Sequence, residues 1–144
     1  LRRNALRSVE VIGLGLSDVA GAFEIRVDGA RSTLQTSWYR DRCLPAEVVL
    51  VEPLDAIAEA RAIDRIRLWK LDVEGHELKA LRGARSLLLQ HRIDAVLVEC
   101  RRADLHELTA FLGSVSYRLY VLASRGLVPL ADSPPTPEIF NAVA

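Results

Sequence analysis

The chain has 144 residues, 19 acidic and 19 basic, and half of them are hydrophobic. That is enough length for one domain spanning residues 1–144 with a real core, and zero net charge excludes a nucleic-acid binder working by bulk charge. The longest apolar runs, about seven residues, exclude a membrane-spanning helix, and no basic-then-apolar leader marks a signal peptide.

Two cysteines, Cys43 and Cys100, are too few and too far apart for a disulfide scaffold or a cysteine zinc site. They fit reduced thiols in a cytoplasmic protein. The chain has no methionine and begins with Leu1. Residues 1–6 read as the tail of a helix already under way, so the expectation is a domain truncated at its N-terminus.

In chain order, residues 9–16 form an apolar, partly β-branched run that predicts a buried strand. Ser17, Asp18 and Gly21 mark a turn. Residues 22–27 alternate Phe23, Ile25 and Val27 with Glu24, Arg26 and Asp28, the pattern of a half-solvated hairpin strand. Residues 31–42 are polar and aperiodic, which predicts a loop. Residues 47–51 predict a strand. Pro53 suits the first turn of a helix over residues 54–62.

Residues 66–73 predict another strand, with Trp69 as a packing residue. A helix with Leu78, Leu81, Leu87 and Leu88 follows, which Gly83 bends or interrupts. Residues 93–100 are a continuous apolar strand, 105–112 a helix and 117–123 a strand. Residues 133–137 form an extended Pro-rich loop, and 139–143 a last strand. Apolar strands alternating with amphipathic helices predict an α/β sheet covered on both faces, mostly parallel with antiparallel edge strands.

Ligands in such sheets bind beyond the carboxyl ends of the strands. Three predicted strand ends carry acids: Ser17-Asp18, the run Asp72-Val73-Glu74-Gly75-His76-Glu77, and Glu99. Parallel pairing brings Asp72 and Glu99 side by side. Asp72 is either a working carboxylate or a helix cap. Glu74 and Glu77 are either ligand groups or acids favoured by the helix dipole. Gly75 either lets backbone approach a ligand or relieves a tight turn. His76 is either a base whose pKa the flanking acids raise, or an exposed residue at a helix start.

The same acids supply hard ligands for magnesium or manganese, but their spacing matches no established metal motif, and no metal site is assigned. Gly13-Leu14-Gly15 lacks the third glycine and the helix of a dinucleotide fingerprint. Glu52-Pro53 is too far from Gly13 to be its ribose-binding acid.

The run LWKLDVEGHELKALRGA over residues 68–84 resembles the signature of FkbM-family methyltransferases. Lys70, Asp72, Glu74, Gly75, Glu77, Leu78, Leu81, Gly83 and Ala84 match it. Leu16-Ser17-Asp18 with Gly21, Ser32-Thr33-Leu34, and Val96 to Glu99 resemble flanking segments of the family in the same order. Around Leu54-Asp55 the family carries Thr-Leu-Asp, and Pro53 replaces the threonine.

The resemblance implies a Rossmann-like class I methyltransferase sheet, S-adenosylmethionine as cofactor and an oxygen of a small-molecule, glycan or lipid-type substrate as methyl acceptor. By the same resemblance Ser17, Asp18 and Asp72 lie by the cofactor. Glu74, Gly75 and Glu77 lie by the acceptor, and Asp72, His76 and Glu99 are the catalytic candidates. The family's first strand, glycine-rich cofactor loop and ribose-binding acid correspond to nothing after Leu1. The isolated chain is therefore expected to bind the cofactor poorly. A non-catalytic α/β interaction module and a metal-dependent hydrolase using the acidic rim are the competing readings.

Overall fold

Two separate stretches of parallel pairing organise the described residues, Gly15–Leu16 with Ala46–Glu52 and Trp69–Leu71 with Val96–Arg101, and the helices Glu77–Arg82 and Arg85–Leu89 make the crossover between the second pair. The computed structural model describes residues 8–27, 45–123, 126–132 and 139–144. The segments expected as a helix tail (1–6) and as loops (31–42 and 133–137), together with Ser32, Thr33, Trp38, Tyr39 and Cys43, lie outside them.

The first sheet has the order β1 (Gly15–Leu16), β3 (Ala46–Glu52), β2 (Gly21–Arg26). β1 runs parallel to β3, and β2 pairs antiparallel with it. The hairpin strand is thus where its alternation placed it. The run over residues 9–16 differs from expectation. Only Gly15 and Leu16 enter the ladder, and Val9 and Val11 are exposed. Apolar content made the run a good strand candidate, but a strand also needs a ladder partner, and β3 meets it only at its last two residues.

The second sheet has the order β4 (Trp69–Leu71), β5 (Val96–Arg101), β8 (Ile139–Val143), β6 (Tyr120–Ala123), β7 (Gly126–Pro129). β4 and β5 are parallel, while β5/β8, β6/β8 and β6/β7 are antiparallel. The expectation of a mostly parallel arrangement is therefore corrected. Most described ladders are antiparallel, and the fold is a mixed α/β one. The reason lies in the connections. A parallel return needs a crossover of a dozen or more residues; only residues 124 and 125 separate β6 from β7, which forces a hairpin.

The helices are α1 (Leu54–Ala60), α2 (Glu77–Arg82), α3 (Arg85–Leu89) and α4 (Leu105–Ser114). Pro53 stands at the N-cap of α1, where its missing N–H costs nothing. The helix expected after the signature run is broken in two at Gly83-Ala84. Leu81, Leu88, Leu108 and Leu112 from α2, α3 and α4 join Trp69, Leu71, Val96 and Val98 in one core cluster. On the opposite face Lys70 is exposed and Leu97 half-buried, so the sheet is not covered equally on both faces. The alternation along β4 and β5 is the signature of one deeply buried side.

A carboxylate secures the break. Asp55, in the first turn of α1, accepts hydrogen bonds from Ser86 N (2.8 Å) and Leu87 N (2.9 Å) at the start of α3. It supplies from 31 residues away the cap that Ala84 cannot supply locally. Asp55→Ala should cost about 1 kcal/mol, the usual value of an N-cap. Chemical denaturation checks this, and an unchanged midpoint would assign the capping elsewhere.

Candidate active site

β4 ends at Leu71 and β5 pairs with it in the register Trp69↔Val96, Leu71↔Val98. The residues that follow, Asp72 and Glu99, therefore emerge side by side at the carboxyl ends of two parallel strands. The chain then turns sharply. Glu74 (φ 49°) and Gly75 (φ 91°) both occupy the left-handed region. Gly75 adopts it without a Cβ penalty, whereas Glu74 does so at a cost of about 1 kcal/mol or more. The turn brings Glu74 back over the strand ends. Carboxylate oxygens of Asp72, Glu74 and Glu99 lie within 4.8 Å of one another, close enough to share one cationic partner.

Lys70 offsets part of this charge, with its Nζ 2.5 Å from Asp72 Oδ2. Residues two apart on a strand share a face, so this pair was readable from the motif, in which Lys70 matched without a role. Burial pushes the Glu99 carboxyl above its ordinary range, and the negative charges of Asp72, Glu74 and Glu77 push it further.

A carboxyl raised in the folded state favours folding at low pH, where it is protonated, and opposes folding once pH rises through its folded pKa. Glu99→Gln should therefore stabilise the protein at neutral pH by roughly 0.5–1 kcal/mol, allowing for solvent screening. The gain should vanish as pH falls through the carboxylate range. A pH series of melting temperatures in which the variant is never more stable would remove the like-charge account.

Glu77 does not share in the trio. It is buried, and its Oε1 accepts hydrogen bonds from the backbone N–H of Val73 and of Gly75, both at 3.1 Å. Those two amides engage one oxygen of the carboxylate and tie the loop to the first residue of α2. Asp72 is not the N-cap of α2; that position falls four residues later, on His76.

His76 differs from both expectations for it. It is 3% exposed, and its pKa lies below the ordinary value. Burial is the main cause and the Lys79 ammonium adds to it, with Asp18 opposing. The acid that opposes the shift is Asp18 rather than the flanking ones, and desolvation of the charged ring outweighs it. Its Nε2 lies 3.0 Å from Ser17 Oγ, which in turn bonds Asp18 Oδ1 at 3.1 Å. The strand end Ser17-Asp18 is thereby joined to the acidic loop, a link across 59 residues with no signature in the sequence. Trp69 lies in the core, as its alternation suggests. Cys100 is buried and free, its thiol pushed up to about 12 chiefly by burial.

Gly83 completes this side of the site. A Cβ built on it would lie 2.0 Å from the Ser17 carbonyl oxygen and 3.2 Å from Pro53 Cα. The loop after β1 is thus pressed directly against the turn between α2 and α3. Between α2 and α4 a cleft of about 220 Å³ opens beside the loop, lined by Gly75, Glu77, Lys79, Arg82, Asp104 and Glu107 among others.

These features define a class: an α/β protein with an acidic rim where two parallel strands part, the place at which ligands bind in such sheets. The methyltransferase FkbM domain model matches residues 9–119. The chain belongs to the FkbM methyltransferase family, as the signature over residues 68–84 indicated. No curated protein and no solved structure matches it. No helix among the described residues is long and apolar enough to cross a membrane.

Proposed function

We propose that this chain acts in S-adenosylmethionine-dependent methyl transfer to an oxygen of a small-molecule, glycan or lipid-type acceptor, on a Rossmann-like sheet in the cytoplasm. The observation that carries this reading is the parallel β4/β5 pairing. In a chain of this family it groups Asp72, Glu74 and Glu99 on one rim.

The donor set fits the cofactor. Carboxylates only accept hydrogen bonds, and they favour a cation; the cofactor presents a sulfonium, an ammonium and hydroxyl donors. When bound, it supplies an electrophilic methyl group. The protein supplies position and electrostatics. Asp18, exposed at the end of β1 beside the buried Ser17, accepts from the adenosyl portion.

Asp72 stands between cofactor and acceptor. It is the better placed of the two candidate bases, since its side chain is 38% exposed while His76 is buried against Ser17. It takes the acceptor hydroxyl proton as the oxygen attacks. Glu99 accepts a hydrogen bond from the acceptor or, protonated, donates one. Glu74 and Gly75 shape the acceptor side, and Glu77 holds their loop. The deciding experiment follows label from the methyl group of S-adenosylmethionine into a panel of hydroxyl acceptors, using the natural full-length chain. Failure to bind the cofactor, with no transfer to any acceptor, would end this reading.

A further inference from the structure

We propose that His76 is a positioning residue which, acting through Ser17, aims the Asp18 carboxylate at the adenosyl portion of the cofactor. The proposal rests on the methyltransferase reading and adds to it a residue that touches neither cofactor nor acceptor.

The proton inventory fixes the direction of the chain. Ser17 has one hydroxyl proton and two neighbours in hydrogen-bond range, His76 Nε2 at 3.0 Å and Asp18 Oδ1 at 3.1 Å. A carboxylate accepts and does not donate, so the Ser17 proton goes to Asp18. His76 must then donate its Nε2–H to Ser17 Oγ. The imidazole is therefore the Nε2–H tautomer, with Ser17 as a one-way link between it and Asp18.

Ser17 is held more tightly than a surface turn residue needs to be. It is 0% exposed. Its N–H donates to Glu52 O at 3.2 Å, its carbonyl lies against Gly83, and its hydroxyl meets His76. Backbone, carbonyl and side chain are each fixed by a different element: β3, the α2–α3 turn and the loop before α2. Its neighbour Asp18 is exposed. A fully clamped residue next to an exposed carboxylate gives that carboxylate one direction, with Oδ1 engaged by Ser17 and Oδ2 left to accept from a ligand. Because His76 follows Gly75 directly, the same contact couples the acceptor-side loop to the cofactor-side strand end.

The test uses the natural full-length chain with S-adenosylmethionine as titrant in calorimetry. Gln offers an amide N–H at nearly the reach of the imidazole Nε2, while Leu offers none. His76→Leu and Ser17→Ala should each weaken binding by roughly tenfold, the worth of one directed hydrogen bond, and His76→Gln should stay within about threefold of wild type. Equal weakening in Gln and Leu variants, or wild-type affinity in the Leu variant, would overturn the positioning role.

A cofactor-free readout stands beside it. Ring nitrogen chemical shifts of His76 should report the Nε2–H tautomer, and an Nδ1–H tautomer would break the chain outright. Wild-type protein that binds no S-adenosylmethionine sinks the parent reading, and the role of Asp18 with it. Binding by wild type with no effect of the variants sinks the positioning role alone.

Discussion

Gly83→Ala should lower the melting temperature by about 10 °C, the expected result of roughly 3 kcal/mol of overpacking in a domain of this size. The added Cβ would lie 2.0 Å from the Ser17 carbonyl oxygen, a separation no real methyl group tolerates. Relief cannot come from a side-chain rotation, because the atoms it meets are backbone: Ser17 C and O, and Pro53 Cα. Either the β1 loop or the α2–α3 turn must move. Movement of the turn would strain the Asp55 N–H bond to Gly83 O (2.9 Å) and the cap on α3. The conformation of Gly83 is an ordinary right-handed one, φ −70°, so close approach, not backbone freedom, requires glycine. A thermal melt of the variant within about 2 °C of wild type would mean that the two segments separate at little cost.

Asp72→Asn should reduce the methyl-transfer rate by roughly a hundredfold or more, the usual contribution of a positioned general base, and leave stability nearly unchanged. Among the described residues it pairs with Lys70, and both side chains of that pair are more than a third exposed. An ion pair of that kind is worth about 0–1 kcal/mol, and Asn retains an acceptor oxygen. The prediction therefore separates function from folding at a single residue. Loss in kcat with an unchanged melting temperature supports the role, and full turnover by the variant would transfer the proton to another group on the rim. Glu99→Gln makes the complementary case, since the trio of acids to which the proposed chemistry is assigned should destabilise the fold at neutral pH.

Some of this was legible before any coordinates. The signature over residues 68–84 named the family, and the strands over 22–27, 47–51 and 139–143 followed from alternation, apolar content and flanking turn residues. These are local properties, set by neighbours in the chain. The convergence of Asp72 with Glu99 was legible too, because it needs only that two apolar strands pair in parallel.

Other features were not. The strand β7 was missed because Leu127-Val128 is a short apolar pair between Gly126 and Pro129, and its ladder with β6 is what makes it a strand. The run over residues 9–16 was overextended for the converse reason, apolar content without a partner. His76 was misjudged because its sequence neighbours are acids, whereas its spatial neighbours desolvate it.

From the residues alone follow the family, the acids offered as candidates, and an acidic loop after the strand that holds Trp69. Residue type and local pattern suffice for that. Folding in three dimensions decided that Ser17 meets His76, that Asp55 caps α3, that Gly83 must be glycine, and that most of the described ladders are antiparallel. Each of those depends on which surfaces distant segments bury against one another, and the spacing of residues along a chain does not specify that. The acidic signature thus holds its place in the fold, and its histidine belongs with the first strand's Ser17-Asp18.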